Sequence, residues 1–316
     1  MLLAKSLLKT VSGLLIMIIV LIACNDNSVE PVDEITTDQQ ALEKLASEDE
    51  VLQSFDPNYD EGQALDFIGK VNTPIYPIRV GQHMILTNRN LNVTFEGDTA
   101  YGVLTTTFEG ILFIAASYDP VVPGDTAAID TLIQKPFTTQ ITRNIIFVKI
   151  ANTARPFLNW RIAAVSLPEG GTLQSNVNID KMTIYMPGGD SLVIDSPNDY
   201  YLTRFQYRWR QIPVLYPGQP LMVRIELTSA YADTDFVTFT YGAIRGGNHY
   251  RAKRLFELIS ETFDGTNYHR VYELTCHINA HRGFKHGIIN AVPKQTIFDD
   301  ATPVEVNTWG VPYIVL

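Results

Sequence analysis

The chain has 316 residues, of which 46% are hydrophobic, 18% charged and 10% aromatic, a composition that excludes intrinsic disorder and supplies a large core. Its formal net charge is −10, from 24 basic and 34 acidic residues. Nucleic acid is therefore not an expected partner, because phosphate neutralisation needs a basic surface.

From the N-terminus, residues 1–10 carry Lys5 and Lys9, and residues 11–23 are apolar except at Ser12 and Gly13. That run is shorter than the roughly 20 apolar residues that span a bilayer, and it reads as the core of a signal peptide over residues 1–23. It closes with Leu21-Ile22-Ala23-Cys24, which resembles a bacterial lipobox. The resemblance implies cleavage before Cys24 by signal peptidase II and acylation of its thiol. The partner it implies is a lipid bilayer of the bacterial cell envelope, with the outer membrane expected, on its periplasmic side or at the cell surface. Acidic residues after the lipidated cysteine accompany export to the outer face in some bacterial phyla, and Asn25-Asp26 fits that pattern loosely. Once Cys24 is acylated, Cys276 is the one cysteine left, so no intramolecular disulfide can form.

The acidity is local. Residues 24–66 hold thirteen acids and a single base, Lys44, whereas residues 67–316 balance at 21 acids and 21 bases. Residues 24–36 read as an acidic tether, and the acidic stretch as a solvated, self-repelling spacer. Thr37-Asp38-Gln39-Gln40 has the form of a capping box, followed by Leu42, Leu45 and Ala46 on one helical face. Ser47-Glu48-Asp49-Glu50 has the form of a second box, and Asp56-Pro57 is expected to end that helix.

From about Ile75 the pattern changes to β-branched and aromatic residues alternating with polar ones. Leu91, Val93 and Phe95 alternate up to a turn at Gly97-Asp98, and residues 111–116, 144–150 and 160–165 are apolar enough for central strands. Two helices followed by antiparallel strands ending in Trp160-Arg161-Ile162-Ala163-Ala164-Val165-Ser166 loosely resemble the SnoaL-like proteins, which implies a cone-shaped α+β fold for residues 37–172. Pro168-Glu169-Gly170-Gly171 reads as the domain boundary. Beyond it, short strands at sandwich-like spacing predict a β-sandwich over residues 173–316.

Several motifs carry chemistry on paper. Gly189-Asp190-Ser191-Leu192 is identical to the block that names the GDSL hydrolases, where the serine is a nucleophile. Here it lies between two strands after Pro187-Gly188, and no histidine has an aspartate three residues before it. It reads as a hairpin turn. The segment 56–62 begins like a calcium loop, but its sixth and twelfth positions are Glu61 and Phe67 where glycine and glutamate are required. His249, His269, His277, His281 and His286 cluster around Cys276. On a strand over residues 268–278, however, Cys276 and Tyr272 face the core while His269, Glu273 and His277 face away, so no metal site and no cofactor are expected.

Residues 202–210, read as one strand, place Phe205, Tyr207 and Trp209 on one face and Arg204, Arg208 and Arg210 on the other. Aromatic residues beside arginines can grip sugars or bind anionic glycans, whereas the alternative is an aromatic core face with the arginines paired to acids on adjacent strands. Arg245, His249, Arg251, Lys253 and Arg254 form a second basic run, either a solvated loop or a contact surface. The candidate binding residues are thus Arg204, Arg208, Arg210, Arg245 and Arg251, and Cys24 is the lipidation site.

The expected fold class is mainly β (α+β): short N-terminal helices with an antiparallel sheet, then a β-sandwich that is Ig-like in general architecture. The expected function is that of a lipid-anchored, non-catalytic module presenting sandwich loops to a glycan, an envelope component or a protein partner. A hydrolase acting on a polymer, its site assembled from distant strands, is the alternative, and two converging carboxylates or three clustered histidines would mark it. A purely structural role would be marked by a flat exposed apolar patch without a pocket.

Overall fold

In the computed structural model the capping box at Thr37 forms: its hydroxyl accepts from the Gln40 backbone, and the Gln40 side chain accepts from the Thr37 backbone. It opens α1 (Asp38–Glu48), which buries Ala41, Leu42 and Ala46. The next helix, α2 (Glu50–Gln53), is capped by Asp49 and not by Ser47, since the Asp49 carboxylate reaches both Val51 N and Leu52 N directly. Asp56-Pro57 does not end a helix but begins one, α3 (Asp56–Tyr59). Proline in a first turn gives up no hydrogen bond, because those N–H groups have no helical partner. The structure describes residues 35–59, 65–66, 75–120, 129–186, 189–205, 208–209, 212–242, 251–278 and 282–316. Cys24 and the lipobox lie outside them. No helix among the described residues is long and apolar enough to cross a membrane.

After the two-residue strand β1 (Leu65–Asp66) come three long strands, β2 (Tyr76–Glu96), β3 (Thr99–Ser117) and β4 (Thr131–Lys149). They have 21, 19 and 19 residues, against an ordinary length of about 5–6. The turn predicted at Gly97 joins β2 to β3, with Gly97 at φ 60°. The period-2 pattern sets their faces: Ala100, Leu104, Phe108, Leu112 and Ile114 of β3 are buried while the odd-numbered residues lie on the opposite face. Helix α4 (Pro156–Asn159), β5 (Trp160–Ser166) and β6 (Glu169–Thr172) follow.

The remaining strands are β7 (Val177–Tyr185), β8 (Ser191–Ile194), β9 (Tyr201–Phe205), β10 (Arg208–Trp209), β11 (Val214–Leu215) and β12 (Pro220–Ser229). Next come β13 (Phe236–Tyr241), β14 (Ala252–Leu255), β15 (Glu257–Phe263), β16 (Tyr268–His277) and β17 (Gly283–Val292), then α5 (Lys294–Phe298) and β18 (Asn307–Val315). They form two sheets, as expected of a mainly β protein with sandwich-like layers. One runs β15-β16-β12-β7-β8; the other has thirteen strands, ordered β1-β2-β3-β4-β6-β18-β17-β13-β14, with β5, β9 and β10 branching from β4 and β11 parallel to β18. Across the large sheet, Met84, Phe108 and Ile141 of β2–β4 and Ile288 of β17 pack together around Phe55 and Tyr59. The end of the helical segment, through Phe55 and Tyr59, thus packs among strands of the large sheet. The other side of the β13–β17 region meets the five-stranded sheet, where the Tyr272 hydroxyl accepts from Asp235 N (3.0 Å).

Two expectations are corrected here. The stretch 168–171 is not a boundary between domains: β6 pairs with β4 on one side and β18 on the other, and residues 37–316 form one compact unit. Its glycines answer to close approach, since a Cβ on Gly170 would stand 1.8 Å from Gln140 O and one on Gly171 2.0 Å from Val306 O. Nor is the acidic stretch wholly a solvated spacer. Asp38, Asp49 and Asp56 pair with Lys149 (3.4 Å), Arg204 (3.4 Å) and Arg89 (2.7 Å), tying the helices to the sheet.

Candidate binding surface

The strand predicted over residues 202–210 is instead a hairpin. Its chain reverses between β9 and β10, which places Arg208 opposite Phe205 and Trp209 opposite Arg204. The two-faced segregation of arginines and aromatics therefore does not arise, because it required an unbroken strand. Arg204 is engaged with Asp49, the cap of α2, and so with an acid of the helical segment where the alternative reading expected one on an adjacent strand. Arg251, expected in an exposed basic run, is buried at 7% exposure. Arg210 and Arg245 lie outside the described residues, and so does the Arg208 side chain.

The other motifs resolve locally. Ser191 opens β8 in a β7–β8 hairpin opposite Tyr185, with Gly189 at φ 97° in the turn. Asp56 spends its carboxylate on Arg89. In the histidine-rich segment, Tyr272 and Cys276 are buried and His269 and His277 exposed, as the alternation required. Burial pushes the Cys276 thiol up to about 11, so it is not a thiolate at neutral pH. His269 bonds Asp264 (2.8 Å) on the surface, His286 lies in the core, and His249 and His281 lie outside the described residues. No cluster of three metal-ligating side chains occurs among the described residues.

Sequence reading missed a buried polar network linking Ser54, His286 and Arg143. Ser54 Oγ stands 2.7 Å from His286 Nδ1, and Arg143 Nη2 stands 3.1 Å from His286 Nε2. A serine beside a histidine suggests a nucleophile and its base, but the polarity runs the other way. Arginine has no acceptor, so His286 Nε2 must accept and the ring proton sits on Nδ1. Nδ1 then donates to Ser54, whose own hydroxyl donates to Val51 O (2.8 Å). A serine that receives a proton from the ring is not being activated by it. Burial, and then the neighbouring Arg143 cation, hold His286 well below the usual imidazole range. Burial also pulls Arg143 down to about 10, still a cation at neutral pH. Arg143 bonds Val51 O (3.1 Å) as well, so the network fastens α2 to β4 and β17.

The open depression of interest lies on the outer face of β2–β4. It has a volume of about 430 Å³ and is lined by His83, Ile85, Glu109, Ile111, Pro136 and Thr138 among others, within the range for small-molecule sites. Two adjacent rungs of the ladder build it: His83–Ile111–Pro136 and Ile85–Glu109–Thr138. The next rungs along the same face, Asn88–Thr107–Gln140 and Asn90–Thr105–Thr142, carry only amides and hydroxyls. The apolar-floored depression thus borders, along the same face, a ladder of neutral hydrogen-bonding residues. Among its described lining residues Glu109 is the one carboxylate and His83 the one histidine. The alternating Thr and Asn positions were visible in sequence, but three strands had to be aligned before they formed rungs. No protein-family model and no curated protein matches this chain.

Proposed function

We propose that the protein is a lipid-anchored, non-catalytic binding lipoprotein of the bacterial cell envelope, held by acylated Cys24, whose ligand is a neutral glycan lying across the outer face of β2–β4. The carrying observation is the groove at Ile85 and Ile111 with the uncharged rung of Asn88, Thr107 and Gln140 next to it on the same face of the sheet. Apolar faces of a sugar ring would rest on the isoleucines, and its hydroxyls would exchange hydrogen bonds with amides and hydroxyls. The lipobox at residues 21–24 supports the anchoring. The polarity of the Ser54–His286 pair removes the most enzyme-like arrangement from consideration as a catalyst.

The test is a glycan array followed by titration calorimetry with the mature protein and its Ile85→Asp and Asn88→Ala/Gln140→Ala variants. Binding that weakens at least tenfold in both variants, with the glycan recovered intact, supports the reading. The hydrolase alternative draws on His83 and Glu109 facing one groove. Release of shortened products, lost in Glu109→Gln, would establish it and displace the binding-only reading.

A further inference from the structure

One end of the long sheet gathers exposed apolar side chains. Phe95, Tyr101 and Val103 of the β2–β3 hairpin and Ile150 and Leu158 of the β4–β5 connection are each at least 44% exposed. They flank that end on both faces of the sheet, Phe95 on the face of its register partner Ala100 and Tyr101 and Val103 on the opposite one, and the two connections are tied together. Lys149 N donates to Asp98 O (2.8 Å) and Ile150 N to Asn159 O (2.7 Å), while the Phe95 ring lies 5.7 Å from that of Trp160, the register partner of Lys149. The exposed charges around them, Glu96 and Asp98 against Arg155 and Arg161, cancel. Such an end is suited to burial in an apolar phase more than to long-range attraction.

The helical segment starts at this same end. Asp38, the first residue of α1, pairs with Lys149, the last residue of β4 (3.4 Å), and Lys44 of α1 lies over the Phe157 ring (4.8 Å). Thirteen residues separate Cys24 from Asp38, which even fully extended reach no further than about 50 Å. A 19-residue strand such as β4 runs about 60 Å, so its opposite end lies beyond that reach. We propose that the end formed by Phe95, Tyr101, Val103, Ile150 and Leu158 docks into the headgroup region of the bilayer that carries the anchor, so that the protein sits on its membrane by two contacts, the acyl chains and this apolar end. The inference rests on the acylation of Cys24. The acyl chains hold the protein to the bilayer but leave it free to swivel on its tether, and a second, protein-borne contact fixes its orientation. The β2–β4 groove would then stand on the flank of a molecule whose long strands rise from the membrane.

The test uses the acylated full-length mature protein in phosphatidylethanolamine–phosphatidylglycerol vesicles, labelled with an environment-sensitive fluorophore at Leu158→Cys or, as a control on the edge strand of the other sheet, at Ile259→Cys. Cys276 is buried and Cys24 is blocked by its lipid. The expected result is a blue shift at position 158 and roughly a twofold loss of its emission with lipid-borne quencher, as for a group 5–10 Å into the headgroup boundary, with neither at 259. Vesicle-bound protein whose 158 label is as aqueous as its 259 label overturns the docking while leaving the anchor intact. Protein whose mass shows no acyl group at Cys24 overturns both readings.

Discussion

Arg143 Nη2 lies 3.1 Å from His286 Nε2, and the direction of that one hydrogen bond sets the protonation of the ring. A guanidinium can only donate, so the imidazole is held neutral with its proton on Nδ1, facing Ser54. Burial disfavours a second proton, and that proton would also place an imidazolium against a buried guanidinium, so the ring stays well below its ordinary range.

This gives stability a pH dependence of known sign. Below about pH 6.5 the unfolded chain protonates His286 and the native state does not, so stability falls as pH falls, by up to about 1.4 kcal/mol per unit. Asp235 acts oppositely: burial raises its carboxyl to about 6 against the pull of Arg270. Between about pH 4 and 6 the native state therefore keeps a proton that the unfolded chain has lost, and stability rises as pH falls. In urea titrations across pH 4–7, His286→Gln should gain stability on acidification and Asp235→Asn should lose it. Parallel curves for the two variants would refute the assignment.

Lys135 is a buried ammonium with three acceptors. Its Nζ donates to Thr296 O and Thr302 O (both 2.7 Å) and also to Asp299 O. It thereby satisfies carbonyls at the end of α5 and in the turn beyond. Lys135→Met keeps the stem but leaves these carbonyls unpaired, and should cost about 3 kcal/mol. The readout is the urea midpoint, with hydrogen exchange expected to quicken first over residues 294–302.

The continuity of the large sheet is tested at Gly170. With Gln140 O 1.8 Å from a would-be Cβ, Gly170→Ala must push β6 from β4 and should destabilise by about 2–4 kcal/mol. Wild-type protein should unfold in one transition by fluorescence and by circular dichroism. Two separated transitions would restore a boundary near residue 172.

Arg270, 1% exposed, bonds Asp235 (2.6 Å), Glu261 (2.6 Å) and Tyr231 O (2.7 Å) at once. Arg270→Met leaves Asp235 buried without its cation and should cost about 3–5 kcal/mol. Lysine cannot serve those directions together, so Arg270→Lys should not rescue. Adding Asp235→Asn to Arg270→Met should recover part of the loss in a double-mutant cycle measured by denaturation.

Local order was readable along the chain. The capping residue at Thr37, the turn at Gly97 and the in-out alternation of Tyr272, Cys276 and His277 depend on neighbours a few positions away, and side-chain size and hydrogen-bonding type suffice to specify them. The Gly170-Gly171 pair carried the same letters as a linker, although its glycines exist because strands on both sides leave no room for a Cβ. Strand alternation likewise misled at 202–210, where a reversal of the chain replaced one strand by two.

What lay beyond sequence was every feature built by pairing remote segments. Ser54 meets His286 across 232 positions and Lys135 meets Asp299 across 164. The rung Ile85–Glu109–Thr138 exists because three strands fell into one register. Composition and periodicity settled that this chain would be β-rich with short leading helices, since burial of alternate side chains is a local requirement. Which polar groups became a structural lock and which became an open groove was settled by tertiary packing, around Phe55 and Tyr59, at the turn after α5 and about Arg270, because only in such buried places do distant donors and acceptors lose water and have to find one another.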